Sequence, residues 1–214
     1  VDNFMGMPDD IPVSGNSMSF PKDETVPWGS DGVRAYWEGE NQQATQTKLI
    51  LGLRNLRLRK LFALMPVTDE ILSDTQALSA YLPRKAGESI RFKANDAIIN
   101  GDGVAKPLGL VNSGALIVVS KTSGQSDSTV SATNVAQMYS RMLSSSLGNA
   151  VWLVHHTVLP QLMLMSISNQ PIWAPNFQVS PAGTLFGRPI IITQSCQTLG
   201  TQNDIMFVDL RKYV

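Results

Sequence analysis

The sequence has few of the residues from which catalytic and metal sites are usually built. Of its 214 residues, one is a cysteine and two are histidines. Because Cys196 is the single cysteine, an internal disulfide and a zinc site made of several cysteines are excluded. His155 and His156 are neighbours, and neighbouring residues of a strand point to opposite faces, so they cannot bind one metal in that geometry. We therefore expect a structural thiol, one buried and one exposed histidine, and neither a metal nor a cofactor.

An excess of charge is also missing. Lys and Arg together number 17, as do Asp and Glu, so the formal net charge is zero. Tight binding of nucleic acid depends on neutralising phosphates, and proteins that do it normally carry a basic excess. The sequence also lacks an apolar run of about 18 residues, so no membrane-spanning helix is predicted. If the chain meets nucleic acid at all, the composition favours enclosing or touching it over binding it tightly.

The sequence contains no complete catalytic or ligand-binding motif, because the required residues are absent or wrongly spaced. The stretch "NGDGVAKPLG", which starts at Asn100, lacks the lysine of a phosphate-binding loop and follows a helix instead of starting one. An EF-hand loop counted from Asn100 would put Val104 and Val111 where oxygen ligands are needed. Ser19 has a lysine three residues later, but no neighbouring element predicts a catalytic site around it. We interpret the stretch as a bend after a helix, with Gly101 in the left-handed conformation of a C-cap.

The first 66 residues predict an arm followed by a hairpin. Residues 1–32 contain scattered prolines and no helical periodicity, which indicates either a disordered segment or an extended arm that lies on another surface. The segments "VRAYWEGE" and "LILGLRNLRLRKLFALM" predict two strands joined by a polar tip, with Leu56 and Leu58 on the face opposite Arg57. A hairpin alone is marginally stable in water, so this one needs a partner surface.

The remainder of the chain mixes helices and strands, which is typical of the α+β class. Thr68 begins a helix that Pro83 interrupts, and a second helical pattern ends at Asn100. Further helices are predicted over "TNVAQMYSRMLSSSL", with Thr133 as N-cap, and over "VLPQLMLMSI", started by Pro160. Strands are predicted over "GALIVVS", "NAVWLVHH", "LFGRPIIITQS" and "DIMFVDL".

The order of these segments resembles that of the major capsid proteins of tailed phages, the HK97-like family. The resemblance runs from about Ala35 to the end and is carried by "YWEGE", "KLFALMPVTDEILSDTQALSAYL", "AIINGDGVAKPLGLVNSG", "VWLVHHTVLPQLMLM", "GTLFGRPIIITQS" and "DIMFVDLRKYV". It implies an HK97-like α+β capsid fold, with the C-terminal part of the peripheral domain missing. The implied parts are an N-terminal arm (1–32), an extended-loop β-hairpin (33–66), the spine helices of the peripheral domain (67–103) and an axial domain (104–214).

The resemblance also implies a function. The chain would be a structural subunit, without catalysis, of an icosahedral phage or prophage capsid that encloses double-stranded DNA without reading its sequence. It would assemble with copies of itself into pentamers and hexamers in the host bacterial cytoplasm and reside in the virion. No membrane contact is expected, whereas scaffold, portal and maturation protease are expected partners. The residues expected at contacts between subunits are Trp37, Glu38, Glu40, Lys48, Arg54, Arg57 and Arg59.

Two alternatives remain open on the residues alone. One is the shell subunit of an encapsulin-like compartment, which would share the fold and enclose enzymes instead of a genome. The other is an α+β hydrolase with an unfamiliar site, which the absence of any catalytic constellation disfavours.

Overall fold

The chain folds into two compact units. A computed structural model describes residues 6–23, 25, 26, 28–40, 43, 45–66, 76–167, 170, 171, 173–176 and 180–213. One unit, called the loop unit below, is Ile11–Lys60, and the other, the main unit, comprises Val1–Asp10 and Leu61–Val214. Within the described residues, no helix is both long and apolar enough to cross a membrane.

The loop unit is built on a two-stranded antiparallel ribbon. Strand β1 (Ser17–Lys22) pairs with strand β2 (Gly52–Arg57), and Met18 lies opposite Leu56 in the register. The second predicted strand is therefore present, but its predicted partner is wrong, because residues 33–39 contain no strand. The N-terminal arm supplies the partner instead.

Side-chain alternation explains this pairing. In "SMSF" the apolar residues occupy every second position, so Met18 and Phe20 share one face of the ribbon with Leu56. The segment "VRAYWEGE" offers no such alternation, and its Trp37 is fully exposed. It is held by local hydrogen bonds: Arg34 donates to the Gly29 carbonyl, and Thr45 N donates to the Glu38 carboxylate at 2.7 Å.

The first helix described in the main unit is long. Helix α1 (Gln76–Asn100) continues through Pro83, so the predicted interruption at this residue is wrong. Pro83 is exposed, and a helix without close neighbours at that point can accommodate the proline ring by a local adjustment. The predicted start at Thr68 lies outside the described residues.

The helix ends in a tight corner that requires glycine for close approach. A Cβ atom on Gly101 would lie 2.0 Å from the Pro107 carbonyl oxygen, and one on Gly109 would lie 2.4 Å from the Gly101 nitrogen. The predicted left-handed C-cap at Gly101 is wrong: the left-handed residue is Gly103, with φ of 77°. Gly109 N donates to the Gly101 carbonyl at 2.9 Å, which closes the corner.

A five-stranded sheet forms the centre of the main unit. Its order is β6-β7-β8-β3-β9, with β3 and β8 parallel and the other neighbours antiparallel. The strands of this sheet are β3 (Val151–Val154), β6 (Trp173–Asn176), β7 (Ser180–Leu185), β8 (Arg188–Ile192) and β9 (Ile205–Val208). The other elements are the helices α2 (Ala132–Ser140) and α3 (Leu159–Leu164), the short paired strands β4 (Ser166–Ile167) and β5 (Gln170–Pro171), and 3-10 turns at Leu110–Asn112, His156–Val158 and Leu210–Lys212.

Alternating side chains of the central strands bury both faces of the sheet. Trp152 and Val154 enter one core, against α2 and α3, whereas Leu153 enters a second core formed with the end of α1 and with Cys196. In the first core the indole of Trp152 stacks on Phe207, with ring centroids 4.2 Å apart, and Trp152 Nε1 donates to the Leu185 carbonyl at 3.0 Å. Burial of each such side chain stabilises the fold by roughly 2–3 kcal/mol.

Several local predictions for the main unit need correction. "GALIVVS" forms no strand, and its apolar side chains Ile117 and Val118 are exposed. "LFGRPIIITQS" is two strands, because Phe186 and Gly187, both with positive φ, make the two-residue turn of a β-hairpin. Helix α2 is capped by Ser131, whose side chain accepts from Asn134 N, and not by Thr133. The strands in "NAVWLVHH" and "DIMFVDL" are confirmed.

Candidate assembly surface

The two histidines lie side by side just after strand β3. Strand β3 ends at Val154, so the two rings do not alternate across a sheet as predicted, and their centroids lie 4.2 Å apart. His155 is buried, with Nδ1 2.9 Å from the Thr157 hydroxyl, and the exposed His156 contacts the Gln194 amide at 3.2 Å. The predicted pair of one buried and one exposed histidine is confirmed. Among the described residues no group of three or more potential ligands could hold a metal ion.

Large apolar side chains lie exposed on both units. Trp37 is fully exposed, and Leu53 and Leu64 expose more than four fifths of their surface. Isolated exposed apolar residues are ordinary, but a run of them along one segment marks an interaction surface. The run here includes Leu49, Ile50, Leu51, Leu53, Leu58, Leu61, Phe62 and Leu64.

The residues predicted at subunit contacts all belong to the loop unit and are exposed. Arg54 lies opposite Phe20 in the ribbon, and Arg57 lies opposite Ser17. Because these two positions are three apart, the two guanidinium groups leave the ribbon from opposite faces. Leu53 shares its face with Arg57, so the predicted separation of leucine from arginine holds only in part.

The structure adds residues to this surface that sequence reasoning missed. Met18 and Phe20 extend the apolar face of Leu56, and Trp28 adds an aromatic side chain that is 68% exposed. The alternation of polar and apolar residues in "SMSF" could have indicated Met18 and Phe20. Nothing in the sequence around Trp28 distinguishes it from a core residue.

Local hydrogen bonds shape the turn that leaves the ribbon. The Thr25 hydroxyl and the Thr25 N–H both donate to the Asp23 carboxylate, at 2.6 and 2.9 Å, and lower the pKa of Asp23. Because both hydrogen bonds favour the ionised carboxylate, Asp23 carries a negative charge directly after β1.

Comparison with solved structures identifies the architecture. The chain matches the capsid of an empty GTA particle with a TM-score of 0.72 and 18% identity, covering 98% of this chain and 73% of that one. The capsid of the native GTA particle gives a TM-score of 0.74 at 16% identity, with the same coverage. A chain of Mycobacterium phage Adephagia matches with a TM-score of 0.56 and 14% identity, over 97% of this chain and 67% of that one. No curated protein sequence matches the chain.

The chain thus shares its α+β fold with these capsid chains. The model of the Phage capsid family matches residues 4–214, so the chain belongs to the phage capsid family. The HK97-like fold is thereby confirmed. The chain is a capsid subunit that assembles with other copies of itself into a shell and is a component of the virion.

Proposed function

We propose that the subunit assembles into an icosahedral shell through its loop unit and acts without catalysis. The observation that carries this proposal is the exposure of Trp37 together with the exposed apolar residues Leu49, Ile50, Leu51, Leu53 and Leu58 of the loop unit. Surfaces of this kind leave water when subunits associate, and closed shells arise when one interface is repeated under symmetry. In the family frame, residues 33–66 are the extended loop, residues 67–103 the spine of the peripheral domain and residues 104–214 the axial domain.

The proposed content of the shell is double-stranded DNA that is enclosed without sequence-specific contacts. The zero net charge supports this, since strong attraction between shell and DNA would oppose movement of DNA during filling. Scaffold, portal and maturation protease are the proposed partners, and assembly takes place in the cytoplasm of a bacterial host.

The test is assembly of the full protein expressed in bacteria. Size-exclusion chromatography with light scattering and negative-stain electron microscopy should detect closed shells. Shells purified from cells that also carry the neighbouring phage genes should contain DNA that resists nuclease until the shell is broken. A protein that stays monomeric under all assembly conditions would contradict the proposal, and shells that protect an enzyme instead of DNA would assign it to a cargo compartment.

A further inference from the structure

Opposite charges are separated along the loop unit. Residues 23–40, called the acidic segment, hold five acidic side chains and one basic one. Residues 48–60, called the basic segment, hold five basic side chains and no acidic one. A chain with zero net charge has thus concentrated both signs within one small unit, in two separate blocks.

The two segments do not neutralise each other fully within one subunit. In the part of the chain that the structure describes, Lys48, Arg54 and Arg57 form no ion pair, and the same is true of Glu40. Glu38 accepts a hydrogen bond from Thr45 N, which fixes its carboxylate at the surface. These charges remain available to another molecule.

Both segments also carry the side chains that dominate protein interfaces. The acidic segment exposes Trp28, Tyr36 and Trp37, and the basic segment combines its arginines with exposed leucines such as Leu53 and Leu58. Tryptophan, tyrosine and arginine are enriched at interface hot spots, where they bury apolar surface and form hydrogen bonds at once. The two segments are therefore complementary in charge, and both also expose large apolar or aromatic side chains.

We propose that the acidic segment of one subunit binds the basic segment of a second copy. When each copy binds the next in one direction only, such a contact is heterologous and can close into rings. The contact also selects which surfaces meet, because pairing the acidic segments of two copies, or their basic segments, would place like charges together. The proposal rests on the proposed function, since it names the partner and the residues for assembly of the shell.

The experiment is a charge reversal with rescue, performed on the full protein. Arg54→Glu with Arg57→Glu reverses two charges of the basic segment, and Glu38→Lys with Glu40→Lys reverses two of the acidic segment. Each double variant should lower the yield of shells at least tenfold, and the combination of all four changes should restore most of it. Circular dichroism of the subunits should stay unchanged, because the four side chains are exposed and the hydrogen bond lost with Glu38, from Thr45 N, joins residues that lie outside helices and strands.

A matched control separates pairing from net charge. Glu38→Lys and Glu40→Lys combined with Lys106→Glu and Lys212→Glu also has zero net charge, with the compensating changes on exposed residues of the main unit. It should remain defective in assembly. Rescue by this control, or full assembly of both double variants, would overturn the inference and leave the proposed function intact. Failure of the unaltered protein to form shells would instead overturn the proposed function.

Discussion

At the scale of single residues, the corner after α1 shows how backbone geometry selects glycine. Gly101 is buried and its backbone is not left-handed, so its role is to leave room for the Pro107 carbonyl. Gly101→Ala should reduce the free energy of unfolding of the full chain by about 3 kcal/mol or more, because the added methyl must displace backbone atoms. Urea unfolding followed by circular dichroism measures the loss.

Gly87 provides the control for this prediction. It lies inside α1, and a Cβ placed there meets no atom within 4 Å. Gly87→Ala should therefore stabilise the protein by about 1 kcal/mol, since alanine is the better helix former. An equal effect of the two substitutions would show that the corner at Gly101 is looser than its distances indicate.

At the scale of elements, the proline inside α1 yields the next prediction. A proline removes one helical hydrogen bond and crowds the preceding turn, at a cost of about 3 kcal/mol in a helix interior. Pro83→Ala should therefore raise the helical signal and the unfolding midpoint of the isolated subunit. Ala86→Pro, one turn later, should lower both. A lower midpoint for Pro83→Ala would mean that the ring makes a stabilising contact.

The elements also show what the sequence could and could not predict. β3 and β9 were predictable because their apolar runs need burial on both faces, and the structure uses alternate residues such as Trp152 and Leu153 for two cores. The partner of β2 was not predicted, because β1 is more than 30 residues away and register depends on side chains that meet only after folding. The exposure of the residues expected at subunit contacts follows from their polarity, whereas the exposure of Trp28 could not be predicted from the sequence around it.

At the scale of the whole molecule, the exposed tryptophans can report assembly directly. Trp37 is fully exposed in the subunit, whereas Trp152 is buried in the sheet core. If the acidic segment is covered in the shell, the indole of Trp37 leaves water when subunits associate. Quenching of tryptophan fluorescence by acrylamide should then be at least twofold weaker in shells than in subunits, with the difference measured on the same protein before and after assembly.

Trp37→Phe tests whether this residue is the reporter. Phenylalanine keeps most of the apolar surface, so the variant should still form shells, but the assembly-dependent change in quenching should shrink by half or more. Trp28 is a second exposed tryptophan of the acidic segment, and Trp28→Phe should reduce the change by a smaller amount because its side chain is less exposed. Trp152 contributes equally in both states, since the sheet core shields it before assembly. An unchanged quenching difference in both Trp37→Phe and Trp28→Phe would place the covered tryptophan elsewhere and would locate the contact between subunits outside the acidic segment.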